Sequence, residues 1–166
     1  MEMYKITIVT GKKHSGKTTY LKKTVEELHL AGKSCKGFYA KGFINQKGER
    51  TSFNIIDIET KEQKELMSSI KKSEKKTGRF YLNETGYKFG KKILEKAISS
   101  ECDYVVIDEI GIAELQNKMW AEYLKHLLNQ KNKKIIITVR KKILQEIISF
   151  FKINNYTYKI IDIQAV

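Results

Sequence analysis

The sequence predicts an α/β fold: a mainly parallel sheet covered by helices on both faces, with an antiparallel hairpin extension. Three observations carry that expectation. Runs such as Tyr104-Val105-Val106-Ile107 and Ile135-Ile136-Ile137-Thr138-Val139 are continuously apolar, the pattern of strands buried on both sides. They alternate with segments of helical period, the order that generates parallel crossovers. Between residues 38 and 67 extended segments follow one another across turn residues, as in a hairpin.

Residues 4–10 alternate and are rich in β-branched side chains, which predicts a first strand. It runs into a glycine turn and then a helix over 17–30, with Leu21, Val25 and Leu28 at helical spacing and Gly32 in the place of a helix-terminating glycine. Residues 34–43 read as extended, and a turn at Asn45-Gln46-Lys47-Gly48 leads into residues 51–58. A further turn at 59–62 precedes a short segment around Leu66-Met67, read as strand. Residues 71–78 are polar without an apolar period, so an exposed, mobile loop is expected. Beyond them, a helix over 87–99 places Phe89, Ile93, Leu94 and Ala97 on one face. A strand at 104–107, a helix at 118–130, a strand at 135–139, a helix at 141–151 and a strand at 158–163 complete the order.

At 166 residues the chain suits a single domain spanning 1–166, and 41% apolar residues exclude a disordered one. No stretch approaches membrane-spanning length and no secretory leader opens the chain, so no membrane partner is expected. Cys35 and Cys102 lack metal-type spacing, which points to structural thiols in a reducing, cytoplasmic setting. The formal net charge of +13 would suit a polyanion. Yet the lysines are spread evenly, Arg50, Arg79 and Arg140 are the only arginines, and no basic cluster is interleaved with aromatics. A solvated lysine coat is favoured over a nucleic-acid site. Oligomeric state is not legible in the pattern.

The chemistry concentrates after the first strand. Gly11-Lys12-Lys13-His14-Ser15-Gly16-Lys17-Thr18 fits GxxxxGK(S/T) at every fixed position, between a strand and a helix. Glycines let such a loop curl so that its N–H groups face the α- and β-phosphates of a nucleotide, and the helix adds its positive end. Lys17 would reach the β- and γ-phosphates, as a catalytic cation, and Thr18 would ligate Mg²⁺. Residues 11–18, with Thr19 behind them, are the expected nucleotide contacts.

A partner carboxylate should end a buried strand, because Mg²⁺ is a hard ion. Asp108 and Glu109, following Tyr104-Val105-Val106-Ile107, supply it: Asp108 for the metal, Glu109 to orient or deprotonate a water. Together with Gly37-Phe38-Tyr39 and Arg50-Thr51-Ser52-Phe53, the string Asp108-Glu109-Ile110-Gly111-Ile112-Ala113-Glu114-Leu115 resembles the THEP1 family of nucleoside-triphosphatases, which includes the human cancer-related NTPase. The similarity runs from Met1 to about Arg140. It implies a RecA-like P-loop fold, magnesium dependence, and slow hydrolysis of ATP, GTP and other nucleoside triphosphates with little base preference. Glu114 matches an acid of the family motif, which would order the water or metal shell or else cap the next helix.

The chain departs from the family pattern at Ala40-Lys41-Gly42, at Thr138-Val139-Arg140, and in ending at Val166 before the family's asparagine-arginine segment and last helix. Arg140 follows a strand expected to point toward the phosphate loop, as a further candidate to stabilise charge on the transferring phosphoryl group, and Thr138, near the end of that strand, is a candidate to sense the γ-phosphate. Arg50 and Arg79 rank below them. His14 is at a variable loop position, and His29 and His126 lack partners at zinc spacing. Two rivals remain to hydrolysis. One is a kinase that closes residues 71–79 as a lid over a nucleotide, nucleoside or RNA acceptor. The other is a non-enzymatic polyanion-binding module.

Overall fold

The structure, a computed structural model, describes residues 3–164. They form one nine-stranded sheet in the order β5-β6-β4-β3-β2-β7-β8-β1-β9. The strands are β1 Ile6–Gly11, β2 Cys35–Ile44, β3 Arg50–Asp57, β4 Gln63–Ser68, β5 Lys76–Thr77, β6 Phe80–Leu82, β7 Tyr104–Ile110, β8 Lys134–Arg140 and β9 Tyr158–Ile163. The helices are α1 Lys17–Leu30, α2 Glu84–Ser99, α3 Ile112–Leu115, α4 Ala121–Asn129 and α5 Leu144–Phe150. Among the described residues no helix is long and apolar enough to cross a membrane.

The expected mainly parallel sheet is corrected to an evenly mixed one. Strands β2, β7, β8, β1 and β9 pair in parallel, whereas β2 to β3, β3 to β4, β4 to β6 and β6 to β5 are antiparallel. The antiparallel half was undercounted because its outermost strands, β5 and β6, are only two and three residues long. β4 opens on exposed Gln63 and Lys64, and β5 is Lys76–Thr77 alone, inside the segment expected to be a mobile loop. Short, charged strands are how a sheet blunts its edge, and they leave no period to read.

Alternation in the central strands divides the core between the two faces of the sheet. Val105 and Ile107 of β7, with Ile135 and Ile137 of β8, pack against Leu94, Leu124 and Ile147 from α2, α4 and α5. Val106 and Ile136, one residue along, point the other way to Leu21 and Val25 of α1. Each such burial contributes roughly 1.5–3 kcal/mol. The larger cluster also holds Trp120, whose ring lies 5.1 Å from Phe38 and 5.4 Å from Tyr87. Gly90 makes room for it, since a Cβ there would stand 2.5 Å from the indole.

Two lysines have structural duties that composition hides. Lys133 Nζ donates to the carbonyls of Ala97, Ile98 and Ser100 at the end of α2. Lys5 Nζ does the same at the end of α4, bonding Leu127, Gln130 and Lys133. Helix C-termini expose unpaired carbonyls and carry partial negative charge, so each ammonium meets the demand directly. Burial, and then repulsion from Lys133, lowers Lys5 to about 8.

Candidate functional site

Parallel strands present their C-terminal ends along one edge of the sheet, and the crevice beyond those ends is where α/β sheets bind ligands. β1, β7 and β8 finish there side by side, with Gly11 opposite Arg140 and Ile110 opposite Val139. Residues 11–18, the acidic pair and the Thr138–Arg140 segment are therefore brought together by register alone.

The loop turns sharply after β1. His14 and Gly16 have φ of 60° and 91°, and Ser15 N donates back to the Lys12 carbonyl at 3.2 Å. Gly11 is held to glycine by close approach: a Cβ would lie 2.3 Å from Ser15 Oγ and 2.7 Å from the Ile163 carbonyl. Helix α1 then starts with no side-chain cap on its first turn, so its leading N–H groups remain available to an anion. Ser15 Oγ is buried without a hydrogen-bond partner, an arrangement that costs stability unless a polar group meets it. Lys17 is mostly buried, with Nζ donating to the Lys12 carbonyl at 2.8 Å and the Gly11 carbonyl at 3.4 Å. Burial lowers its pKa, while Glu109 and Asp108 act in the opposite sense. Lys12, Lys13, His14, Gly16 and Thr19 are exposed along the loop and the first turn of α1.

Opposite the loop, β7 carries a bulge. Ile107 pairs with Ile137 and Ile110 with Val139, so Asp108 and Glu109 share the space facing Thr138. Bulges of this kind re-aim side chains at sheet rims. Asp108, only 3% exposed, accepts from Thr18 Oγ1 at 2.8 Å and Ala40 N at 3.0 Å through Oδ2, and from Thr138 Oγ1 at 2.6 Å through Oδ1. Burial raises its pKa and these donors pull it back in part. Because Thr18 gives its proton to Asp108, its lone pairs are left to face a cation: hydroxyl and carboxylate together offer the hard oxygens Mg²⁺ prefers.

Glu109 is placed differently. Arg140 Nε donates to its Oε1 at 2.9 Å, and Oε2 has no hydrogen bond among the described residues. Burial raises its pKa, Arg140 opposes this, and Asp108 adds to it. Such a carboxylate is shifted toward the range of a general base. Glu114 is buried and uses both oxygens on backbone amides, Gly111 N at 2.7 Å and Trp120 N at 3.3 Å, tying α3 to the start of α4. Burial pushes its carboxyl up to about 7.

One participant had no signal in the sequence pattern and a second had a weak one. The Ala40 amide reaches Asp108 only because β2 and β7 pair in parallel. Arg50, ranked low in the sequence, faces the loop, with Nη2 3.1 Å from His14 Nδ1. Its position in the Arg50-Thr51-Ser52-Phe53 segment was the only available hint.

Comparison with known proteins gives the same neighbourhood. The NTPase family profile matches residues 6–164. The nucleoside-triphosphatase THEP1 of Sulfurisphaera tokodaii is 34% identical over 135 residues, which are 80% of this chain and 76% of that protein. The crystal structure of THEP1 from the hyperthermophile Aquifex aeolicus superposes with a TM-score of 0.73 at 26% identity, over 96% of this chain and 90% of that one. The solution structure of a human cancer-related nucleoside triphosphatase superposes with a TM-score of 0.70 at 21% identity, over 95% and 88%, a likeness of fold.

Proposed function

Because this chain belongs to the NTPase family, together with the THEP1 nucleoside-triphosphatases, we propose that it hydrolyses nucleoside triphosphates to the diphosphate and phosphate. The observation that carries this reading is the Thr18 to Asp108 hydrogen bond, with Glu109 beside it and one oxygen of Glu109 without a hydrogen bond among the described residues. Their meeting in one crevice supports reading them as a phosphate-binding loop, a hard-oxygen pair and a base.

In this reading residues 11–18 cradle the polyphosphate and Lys17 neutralises its β- and γ-oxygens. Glu109 Oε2 holds a water and takes its proton. The water oxygen bonds to the γ-phosphorus as the bond to the β,γ-bridging oxygen breaks, and the nucleoside diphosphate leaves with that oxygen. Magnesium fits the donor set: Thr18 and, through water, Asp108 would hold it. An ion shared with substrate phosphates needs only one or two protein ligands and keeps several waters. When bound, the ion supplies neutralising charge to those oxygens.

ATP, GTP and the other triphosphates are the expected substrates, with little base preference, since loop amides and Lys17 read phosphate rather than base. Slow turnover is expected of a phosphate loop working without a second protein. The RecA-like P-loop architecture belongs to the same reading: β8 lies between β1 and β7, which lets Thr138 bridge to Asp108. A kinase would need residues 71–79 as a lid. Instead β5 and β6 form a hairpin and Arg79 Nη2 bonds the Arg50 carbonyl, which favours water as acceptor. A cytoplasmic setting accords with two unpaired, buried cysteines, Cys35 being raised by burial to about 12 and so unreactive.

The test is to incubate pure protein with Mg²⁺ and ATP or GTP, with and without nucleosides, nucleoside monophosphates or RNA, and to follow free against transferred phosphate. Free phosphate that is lost in Glu109→Gln supports hydrolysis. Phosphate appearing only on an added acceptor overturns it.

A further inference from the structure

The three arginines of the chain have three different fates. Arg140 is committed to Glu109 at 2.9 Å, and Arg79 donates to a backbone carbonyl. Arg50 makes neither an ion pair nor a bond to a backbone carbonyl among the described residues, although it faces the phosphate loop. Its Nη2 is 3.1 Å from His14 Nδ1, and its Nε is buried without a hydrogen-bond partner.

Several features hold it in that attitude. Register between β2 and β3 shifts after Phe43, so that Phe43 pairs with Ser52 but Ile44 with Arg50. The Arg50 side chain then crosses Gly42, where a Cβ would stand 2.3 Å from Nε and 2.7 Å from Cζ. The guanidinium also lies over the Phe53 ring at 4.8 Å, and Phe53 is buttressed edge-on by Phe80 at 5.1 Å. Stacking on an aromatic face fixes the plane of a guanidinium while leaving its N–H edge free. The charges that act on Arg50 include Glu109, Arg140 and Asp108, so it shares their crevice.

A buried guanidinium donor with no acceptor, beside a loop built to curl around phosphate, is completed by an anionic oxygen. We propose that Arg50 is a catalytic residue that binds the γ-phosphate oxygens of the nucleotide, a cation supplied by the chain itself. This rests on the triphosphate-hydrolase reading and adds the group that meets charge on the transferring phosphoryl. Arg140 serves Glu109 instead. The β5–β6 hairpin, through Phe80 and Arg79, acts as the support that keeps Arg50 aimed.

The experiment compares wild type, Arg50→Ala, Arg50→Lys, Gly42→Ala and Lys17→Ala in phosphate release from Mg·ATP and Mg·GTP. Nucleotide affinity and melting temperature are measured on each. For Arg50→Ala, kcat is expected to fall by about 100-fold or more, the scale of removing a transition-state donor. Affinity for Mg·ADP should stay within about threefold, since the diphosphate lacks the γ-phosphate. Arg50→Lys should restore little, because an ammonium has neither the stack nor the fork. Guanidine added to Arg50→Ala should recover part of the rate, which a merely structural role would not allow. Gly42→Ala should reproduce the kcat loss by displacing the side chain. If wild type releases phosphate, Lys17→Ala does not, and folded Arg50→Ala retains kcat within threefold, the Arg50 assignment is overturned and hydrolysis stands. If wild type releases none, both fall.

Discussion

The Thr18 hydroxyl donates to Asp108 Oδ2 across 2.8 Å, joining the first turn of α1 to the end of β7 although 90 positions separate them in the chain. This bond orients the hydroxyl's lone pairs outward, and it requires a carboxylate that accepts. Asp108→Asn replaces one acceptor oxygen by a donor, so either Thr18 or Thr138 must turn its proton away. Titrations of ATP with Mg²⁺ and with EDTA should then give nearly equal affinities, where wild type is expected to prefer the magnesium complex. Turnover should drop on the order of 100-fold. A magnesium preference that survives intact would refute the assignment of Asp108.

Arg140 should govern pH dependence through Glu109. Burial holds the Glu109 carboxyl above its ordinary range and the Arg140 guanidinium restrains that rise. Removing the cation in Arg140→Gln lifts the pKa further, so the basic form appears only at higher pH. The acid limb of the kcat against pH profile should move upward by an amount that a profile measured in constant ionic strength resolves. A limb that stays in place or moves down would mean that Glu109 is not the titrating base.

Glu114 should make stability fall as pH rises. Its folded carboxyl is near 7 against an ordinary 4.5, so between those values the folded chain holds a proton that the unfolded chain has lost. The contribution is therefore complete below about 4.5 and disappears through about 7, amounting to at most roughly 3 kcal/mol. Glu114→Gln has no such titration but gives a poorer acceptor to Gly111 N or Trp120 N. Melting curves from pH 5 to pH 8 should show the variant below wild type at the acid end and the gap narrowing toward neutrality. Parallel curves would remove Glu114 from the pH response.

Gly37 is where the mixed sheet changes character, pairing in parallel with β7 while its strand turns antiparallel toward β3. Its φ is 117°, and a Cβ would stand 2.0 Å from the Val106 carbonyl, a backbone atom that cannot step aside. Gly37→Ala should lose at least about 2 kcal/mol by urea unfolding. Since Ala40 N follows on the same strand and bonds Asp108, nucleotide affinity should fall as well. Wild-type stability in this variant would show that β2 tolerates the side chain.

What sequence determined by itself was local. The helix at Lys17–Leu30, the strand at Tyr158–Ile163 and the glycine turn between first strand and first helix were legible because period, glycine and motif act within a few residues. Carboxylates ending an apolar strand were legible for the same reason: a buried run followed by Asp108-Glu109 needs no partner to be recognised. The tertiary structure alone decided how far the antiparallel half extends beyond the strand read at Leu66-Met67, because β5 and β6 are too short to show a pattern and are held by pairing with each other and with β4. It also decided which charges meet. Arg140 could be placed near the loop from strand order, but its pairing with Glu109 depends on register and on the bulge in β7. Arg50 reaches His14 from 36 positions away, across a register shift and over a glycine. Hydrogen bonds and ion pairs depend on ångströms, and those are set only when distant strands lock side by side.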